Sequence, residues 1–415
     1  VTGVLTQFRS FGWPSRMLMI NQFGINLGFY MLMPYLAGYL AGPLGLAAWA
    51  VGLVLGVRNF SQQGMFIVGG TLADRLGYKP LIVAGCLLRT AGFGLLIFAE
   101  SLPAVLIASA ATGFAGALFN PAVRAYLAAD AGPRRVEAFA MFNIFYQAGI
   151  LAGPLVGLAL MVLDFRTAAA AAAAVFAALT VAQLFALPQH RATTPTEKGS
   201  VLADWRVVLA NRSFLLFAAA MIGSYVLSFQ VYLALPLQAG LLAPDDETRI
   251  VAGVFVISGL VAVFGQLRIT RWFSARWGAG RSLAVGLVIL AAAFVPLVVV
   301  PDGRFGEGVA IAALLVAAGV LAVGSAAVFP FEMDTVVSLA NDRLVGTHYG
   351  FYNTIVGIGI LAGNLATGTL MQAARDAGMA ALTWVGLAVI GLASAAALYR
   401  LDRTGRLRPR TMTAV

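Results

Sequence analysis

Gly69-Gly70-Thr71-Leu72-Ala73-Asp74-Arg75-Leu76-Gly77-Tyr78-Lys79-Pro80 is a tight charged turn between two apolar stretches, 47–71 and 80–99. Stretches of this kind recur along the whole chain. Of its 415 residues, 60% are apolar and 11% are Asp, Glu, Lys or Arg. Soluble proteins carry about 25% charged residues, so the composition excludes a water-soluble globule, a disordered chain and a collagen-like chain. A membrane-spanning helix needs about 20 apolar residues. Twelve such spans are predicted, at 17–40, 47–71, 80–99, 103–127, 138–162, 167–187, 213–238, 250–270, 282–300, 308–337, 348–373 and 381–399. A polar segment, 189–212, divides them into halves at 1–188 and 213–415.

Basic residues orient the spans. With the N-terminus in the cytoplasm, 20 of the 27 Lys and Arg fall on cytoplasmic segments and four, Arg166, Arg249, Arg304 and Arg375, on outer loops. Both termini are therefore expected in the cytoplasm. Residues 1–16 lack a cleavage-site pattern and lead into a retained first helix. The dominance of Arg over Lys and the leading Val1 suggest a bacterial gene, and hence the cytoplasmic (inner) membrane. The net charge of +10 is spread between spans rather than gathered in one patch, so nucleic acid is not expected as a partner. Cys86 stands alone and the only histidines are His190 and His348, too few for a disulfide or a zinc site.

The halves repeat. Asn143 and Gly149-Ile150-Leu151-Ala152-Gly153 recur as Asn353 and Gly359-Ile360-Leu361-Ala362-Gly363, 210 residues on. Tyr30 and Pro34 match Tyr232 and Pro236, and the charged turn recurs as Ser274-Ala275-Arg276-Trp277-Gly278. Two parallel six-helix halves place a substrate path between them.

The turn at 69–80 resembles the signature loop of the major facilitator superfamily, and the resemblance extends over the whole chain. It implies an all-α fold of twelve transmembrane helices in two pseudo-symmetric halves, a monomer in the bilayer, and transport by alternating access. It also implies a latch on the cytoplasmic side formed by Gly70, Asp74, Arg75, Gly77 and Lys79. Tyr78 replaces a second basic residue and Ala275 replaces the Asp of the second copy, so the latch is asymmetric. The other reading of the turn is a loop that merely obeys the positive-inside bias.

Gly149, Gly153, Pro154 and Gly157 resemble the motif of proton-coupled exporters in that superfamily. The same spacing also serves ordinary close helix packing. Leu27-Gly28 with Pro34, and the run Arg58 to Gly64, resemble twelve-helix drug:proton antiporters. One feature departs: Ser109 stands four residues before Gly113, where that family has an Arg assigned to proton coupling.

Five charges lie well inside spans: Arg58, Arg89, Arg124, Glu332 and Asp334. Each costs about 2.5–3.5 kcal/mol at mid-bilayer and calls for a reason. Glu332 and Asp334 are the carboxylates expected to couple protons, and they project about 200° apart on a helix. Asp334 matches Arg124 across the repeat, which suggests an inner-gate pair; the plainer reading is a wet helix end. Arg58 and Gln62 form a polar seam that either meets substrate or staples helices, with Asn353 and Asn364 as candidate partners in span eleven. Arg89 reads as structural. Gln22, Asn26 and Tyr30 in span one, with Ser228 and Tyr232 in span seven, are the remaining cavity candidates, placed there by the superfamily resemblance.

No phosphate-binding GxxxxGK[ST] run occurs and no nucleophile–His–acid set is available, so neither ATP nor catalysis is expected, and no cofactor beyond the proton gradient. The expectation is a proton-coupled exporter of lipophilic or cationic small molecules. Two alternatives stand: a lipid, lysolipid or metabolite carrier, for which Arg58 and Arg124 would suit an anionic headgroup, and a non-transporting receptor or assembly protein.

Overall fold

The computed structural model describes residues 2–41, 43–46, 48–161, 163–188, 200–243, 245–300 and 305–407. His190 and Lys198 of the polar segment, Arg304 of the outer loops, and the side chain of Pro34 lie outside the described residues.

The described residues form helices without strands: α1 (Thr2–Arg9), α2 (Trp13–Ala41), α3 (Ala48–Gln63), α4 (Phe66–Leu76), α5 (Tyr78–Phe98), α6 (Leu102–Ala131), α7 (Arg135–Met161), α8 (Phe165–Ala186) and α9 (Val201–Ala210). There follow α10 (Arg212–Ser228), α11 (Ala234–Leu242), α12 (Glu247–Leu260), α13 (Gln266–Arg276), α14 (Ala279–Ala292), α15 (Val295–Val299), α16 (Glu307–Ala340), α17 (Val345–Asp376) and α18 (Ala381–Arg403). Among the described residues nine stretches are long and apolar enough to cross a membrane, and one of them, Leu102–Met161, takes in both α6 and α7. With α2 and the pair α3–α4 these account for the twelve expected spans. In lipid every backbone amide must find its partner within the segment, which leaves the helix as the only open-chain solution.

Four spans are interrupted. The second breaks at Gly64–Met65, between α3 and α4. The seventh tightens into a 3-10 turn over Phe229–Tyr232 before α11. The eighth carries a π turn, Val261–Gly265. The ninth breaks between α14 and α15. Two short helices, α1 and α9, add to the expected spans; α9 turns the end of the polar segment into ordered structure.

Two compact units emerge. One comprises Val1–Asn211 with Ala340–Thr354, the other Arg212–Leu339 with Ile355–Val415. The first unit thus holds the start of α17 as well as α1–α9. Within each unit glycines let one helix lie against another. A Cβ on Gly149, Gly153 or Gly157 of α7 would run into the backbone or side chains of α2. In the second unit the repeat partners Gly359 and Gly363 of α17 pack on Ile222 and Val226 of α10 in the same way. The internal duplication read from the sequence therefore reappears as a repeated helix contact.

Candidate functional site

The charged turn joins α4 to α5 through Gly77, whose φ of 87° suits glycine. Its Asp74 is buried against the start of α17. The Gly346 amide donates to Asp74 Oδ1 at 2.9 Å, and the Thr347 amide and hydroxyl donate to Oδ2 at 2.6 and 2.7 Å. These amides belong to the first turn of α17, where helix geometry leaves donors unpaired. Asp74 supplies their acceptors from another helix. Burial pushes its carboxyl up to about 6, against the pull of the three donors. The backbone is prepared on both sides. A Cβ on Gly70 would collide with the Gly346 carbonyl, and one on Gly350 would meet that of Phe66. Asn341, Asp342 and Leu344 all have positive φ, between 50° and 54°, in the turn that delivers α17. That conformation costs a non-glycine residue roughly 1–2 kcal/mol.

The other two charges of the turn go elsewhere. Arg75 donates through Nε and Nη2 to Asp204 Oδ2 at 2.9 and 2.7 Å. The neighbouring Trp205 indole donates to Thr71 Oγ1 at 2.8 Å and meets Phe351 edge-on, with ring centroids 6.0 Å apart. Lys79 Nζ reaches the Leu184 carbonyl at 2.8 Å, at the C-terminal turn of α8, where a cation is favoured. Sequence reasoning missed Asp204, Trp205 and Thr347. The clue available was an acid and a tryptophan side by side in the polar segment.

The exporter-type motif brackets the α2–α7 contact. Asn26 Nδ2 donates to the Tyr146 carbonyl at 2.8 Å, and Tyr35 Oη to that of Pro154 at 2.7 Å. Gly149 and Gly153 lie between these bonds, and Gly157 lies one turn beyond.

The polar interior of the first unit is cationic. Arg58 and Arg89 both lie over the Phe29 ring, with guanidinium carbons 4.4 and 5.6 Å from its centroid. Arg89 also faces Phe119 and Phe176. Arg58 donates only to neutral groups, Asn59 Oδ1 at 3.0 Å and Gln62 Oε1 at 3.1 Å. Asn353 does not pair with Arg58; its Oδ1 accepts from Arg124 Nη1 at 2.9 Å. Tyr146 sits in the field of all three arginines. Gln22 is buried, and Tyr30 packs edge-on against Phe29.

The second unit holds the buried acid. Glu332 on α16 is 3% exposed, and Tyr225 Oη of α10 donates to its Oε1 at 2.6 Å. Asp334, two residues on, is half-buried. Ser228 Oγ lies 3.1 Å from Ser325 Oγ, and Tyr232, 48% exposed, packs with tilted rings against Phe229 and Phe255. A separate depression of about 900 Å³ opens on the first unit between Tyr35, Tyr39, Glu100 and Arg166 and includes none of the expected cavity residues.

The arrangement has relatives among known proteins. Residues 18–364 match the family model of the Major Facilitator Superfamily. The chain is 68% identical over 401 residues to the uncharacterized MFS-type transporter Rv0849 of Mycobacterium tuberculosis (strain ATCC 25618 / H37Rv), covering 96% of each. It is 29% identical over 406 residues to the multidrug resistance protein MdtH of Sodalis glossinidius (strain morsitans), covering 98% of this chain and 97% of that one. Among solved structures it is similar to a variant of the E. coli fucose:proton symporter FucP, with TM-score 0.73, 14% identity, and coverage of 93% of this chain and 98% of that one.

Proposed function

The chain belongs to the major facilitator superfamily, and from that premise we propose that it is a proton-driven exporter of lipophilic small molecules. It is a transporter and not an enzyme, a multi-pass protein of the inner membrane. The observation that carries the coupling reading is Glu332, a buried carboxyl on α16 held by the Tyr225 hydroxyl at 2.6 Å. A carboxyl inside a membrane span is rare and marks proton relays. The likeness to MdtH and the Gly149–Pro154–Gly157 packing of α7 on α2 support export rather than uptake.

In this reading Glu332 carries the proton, and Asp334 takes part with Arg124 in a gate that protonation releases. Asp74, Arg75 and Lys79 hold the cytoplasmic side, and both termini face the cytoplasm, in keeping with the bias of basic residues. The protein works as a monomer by alternating access, without a cofactor. One proton crossing 100 mV yields about 2.3 kcal/mol, enough for a gradient of roughly 40-fold.

The test is accumulation of a panel of cationic, neutral and anionic lipophilic compounds in everted membrane vesicles. An acid lumen should drive uptake of at least one class, and Glu332→Gln should abolish it. Uptake indifferent to the pH gradient would reduce the protein to a passive carrier. Exchanging the charges, Arg124→Asp with Asp334→Arg, should restore activity lost in either single variant; no recovery would rule out the gate.

A further inference from the structure

We propose that the polar interior of the first unit binds the negatively charged head group, a carboxylate or phosphate, of the exported molecule, through Arg58 backed by Arg89. This rests on the export reading above and names its cargo class; it replaces the expected cationic cargo with an anionic amphiphile.

Charge in this interior does not balance locally. Arg89 is 4% exposed, and Arg58 is half-buried beside it. Their Nε atoms are both buried without an acceptor. Arg89 lies in the repulsive field of Arg58. Every described acid of the first unit is engaged elsewhere. Asp74 docks on α17 and Asp204 on Arg75. Asp130 accepts from Ser15, and Glu137 pairs with Arg134. Glu100 pairs with Arg166, Asp164 caps α8 at Thr167, and Asp342 meets Arg135. No described carboxylate of this unit neutralises Arg58 or Arg89. Buried charges without a counter-ion are strongly unfavourable, and aromatic faces offset that only in part. An anionic head group supplies the counter-charge that the unit's own acids do not.

The local geometry suits such a ligand. Gly116 lacks the Cβ that would press on Arg89 Nη2 and Gln62, so both side chains fit over α6. Gln62 holds Arg58 Nη2, leaving Nε unbonded, and a guanidinium fork is the side chain matched to carboxylate and phosphate. Phe29, itself buried, lies under both cations and fixes the guanidinium planes beside one another. A cation entering here would meet two like charges.

The experiment is equilibrium binding to the purified full chain in an uncharged maltoside detergent. The probes are oleate, oleoyl lysophosphatidylglycerol, inorganic phosphate, and the uncharged and quaternary ammonium analogues of oleate. At least one anion should bind tenfold or more tighter than both analogues, and its affinity should fall with added salt. Which anion wins separates a fatty carboxylate, a lysolipid and free phosphate as the source. Arg58→Gln should weaken anion binding at least tenfold and leave the uncharged analogue unchanged; Arg58→Lys should recover part of the loss. Thermal melting checks that each variant folds. Equal or tighter binding of the ammonium analogue to the parent protein overturns the proposal, with no variant needed. So does undiminished anion binding by a folded Arg58→Gln. Since binding requires no proton gradient, anion binding without proton-driven uptake in vesicles would sink the export reading and spare this one.

Discussion

The interiors of the two units hold different ionisable groups. In the first, Arg58 and Arg89 lie over Phe29 and Arg124 reaches Asn353, with no described acid of the unit beside them. In the second, Glu332 is buried on α16 beside the Tyr225 hydroxyl. Duplication supplied both units with the same helix contacts, as the α2–α7 and α10–α17 glycines show. Their polar fillings differ. In the reading proposed above, the labour is divided, with one interior taking an anion and the other a proton.

The two copies of the charged turn diverge in the same manner. The first is ionic, with Asp74 on α17 and Arg75 on Asp204. In the second, Ala275 stands for the Asp, and Arg276 lies 4.3 Å from the centroid of Trp272, which packs against Trp277. The first copy grips another helix through hydrogen bonds; the second closes on itself through aromatic surface.

The sharpest way to break this division is Glu332→Gln. Proton-driven transport should fall by roughly a hundredfold, about 2.7 kcal/mol, while anion affinity stays unchanged. Next comes Asp74→Ala, which strands three donors at the start of α17; each lost bond to a buried acceptor costs about 1–3 kcal/mol. Hydrogen exchange at Gly346 and Thr347 should quicken accordingly, and unchanged protection would contradict the docking role. The same probe reads a pH effect. Because the Asp74 carboxyl is raised from its ordinary 3.8 to about 6 when docked, docking is favoured below about 4 and loses that contribution as pH rises through about 6. Protection, corrected for intrinsic exchange, should be greater at about pH 5 than at about pH 7 in the parent and independent of pH in Asp74→Ala.

Smaller effects follow. Tyr225→Phe removes one hydrogen bond to Glu332 and should slow proton-driven transport about tenfold, since a bond to a charged group is worth about 1.5–3 kcal/mol. Asp204→Asn weakens a partly solvated ion pair and should cost about 1 kcal/mol of stability, read as a small drop in melting temperature. A large loss there would make α9 a principal fastener of the first unit.

The spans are legible because lipid forces apolar runs into helices, and every predicted span overlaps a helix or helix pair. What periodicity does not encode is interruption. Phe229–Tyr232 holds neither Gly nor Pro yet tightens into a 3-10 turn, and Val261–Gly265, which ends in a glycine, widens into a π turn. The segment 189–212 reads as a linker because its polar residues mask the ten-residue helix Val201–Ala210. Asp74 can be singled out by its motif, but its partners Gly346 and Thr347 lie more than 270 positions away, and only packing brings them together. Arg89 reads as structural because sequence offers no census of counter-ions; the imbalance around it emerges only when each acid is assigned.

The most direct test of the divided interiors is a crossed measurement on Arg58→Gln and Glu332→Gln in proteoliposomes, reading anion affinity and cargo-triggered proton flux side by side. If the labour is divided, Glu332→Gln binds the anion as the parent does and moves no protons. Arg58→Gln then loses anion affinity, and saturating cargo restores its proton flux. Loss of anion affinity in Glu332→Gln, or parent-like proton flux in that variant, would contradict the division.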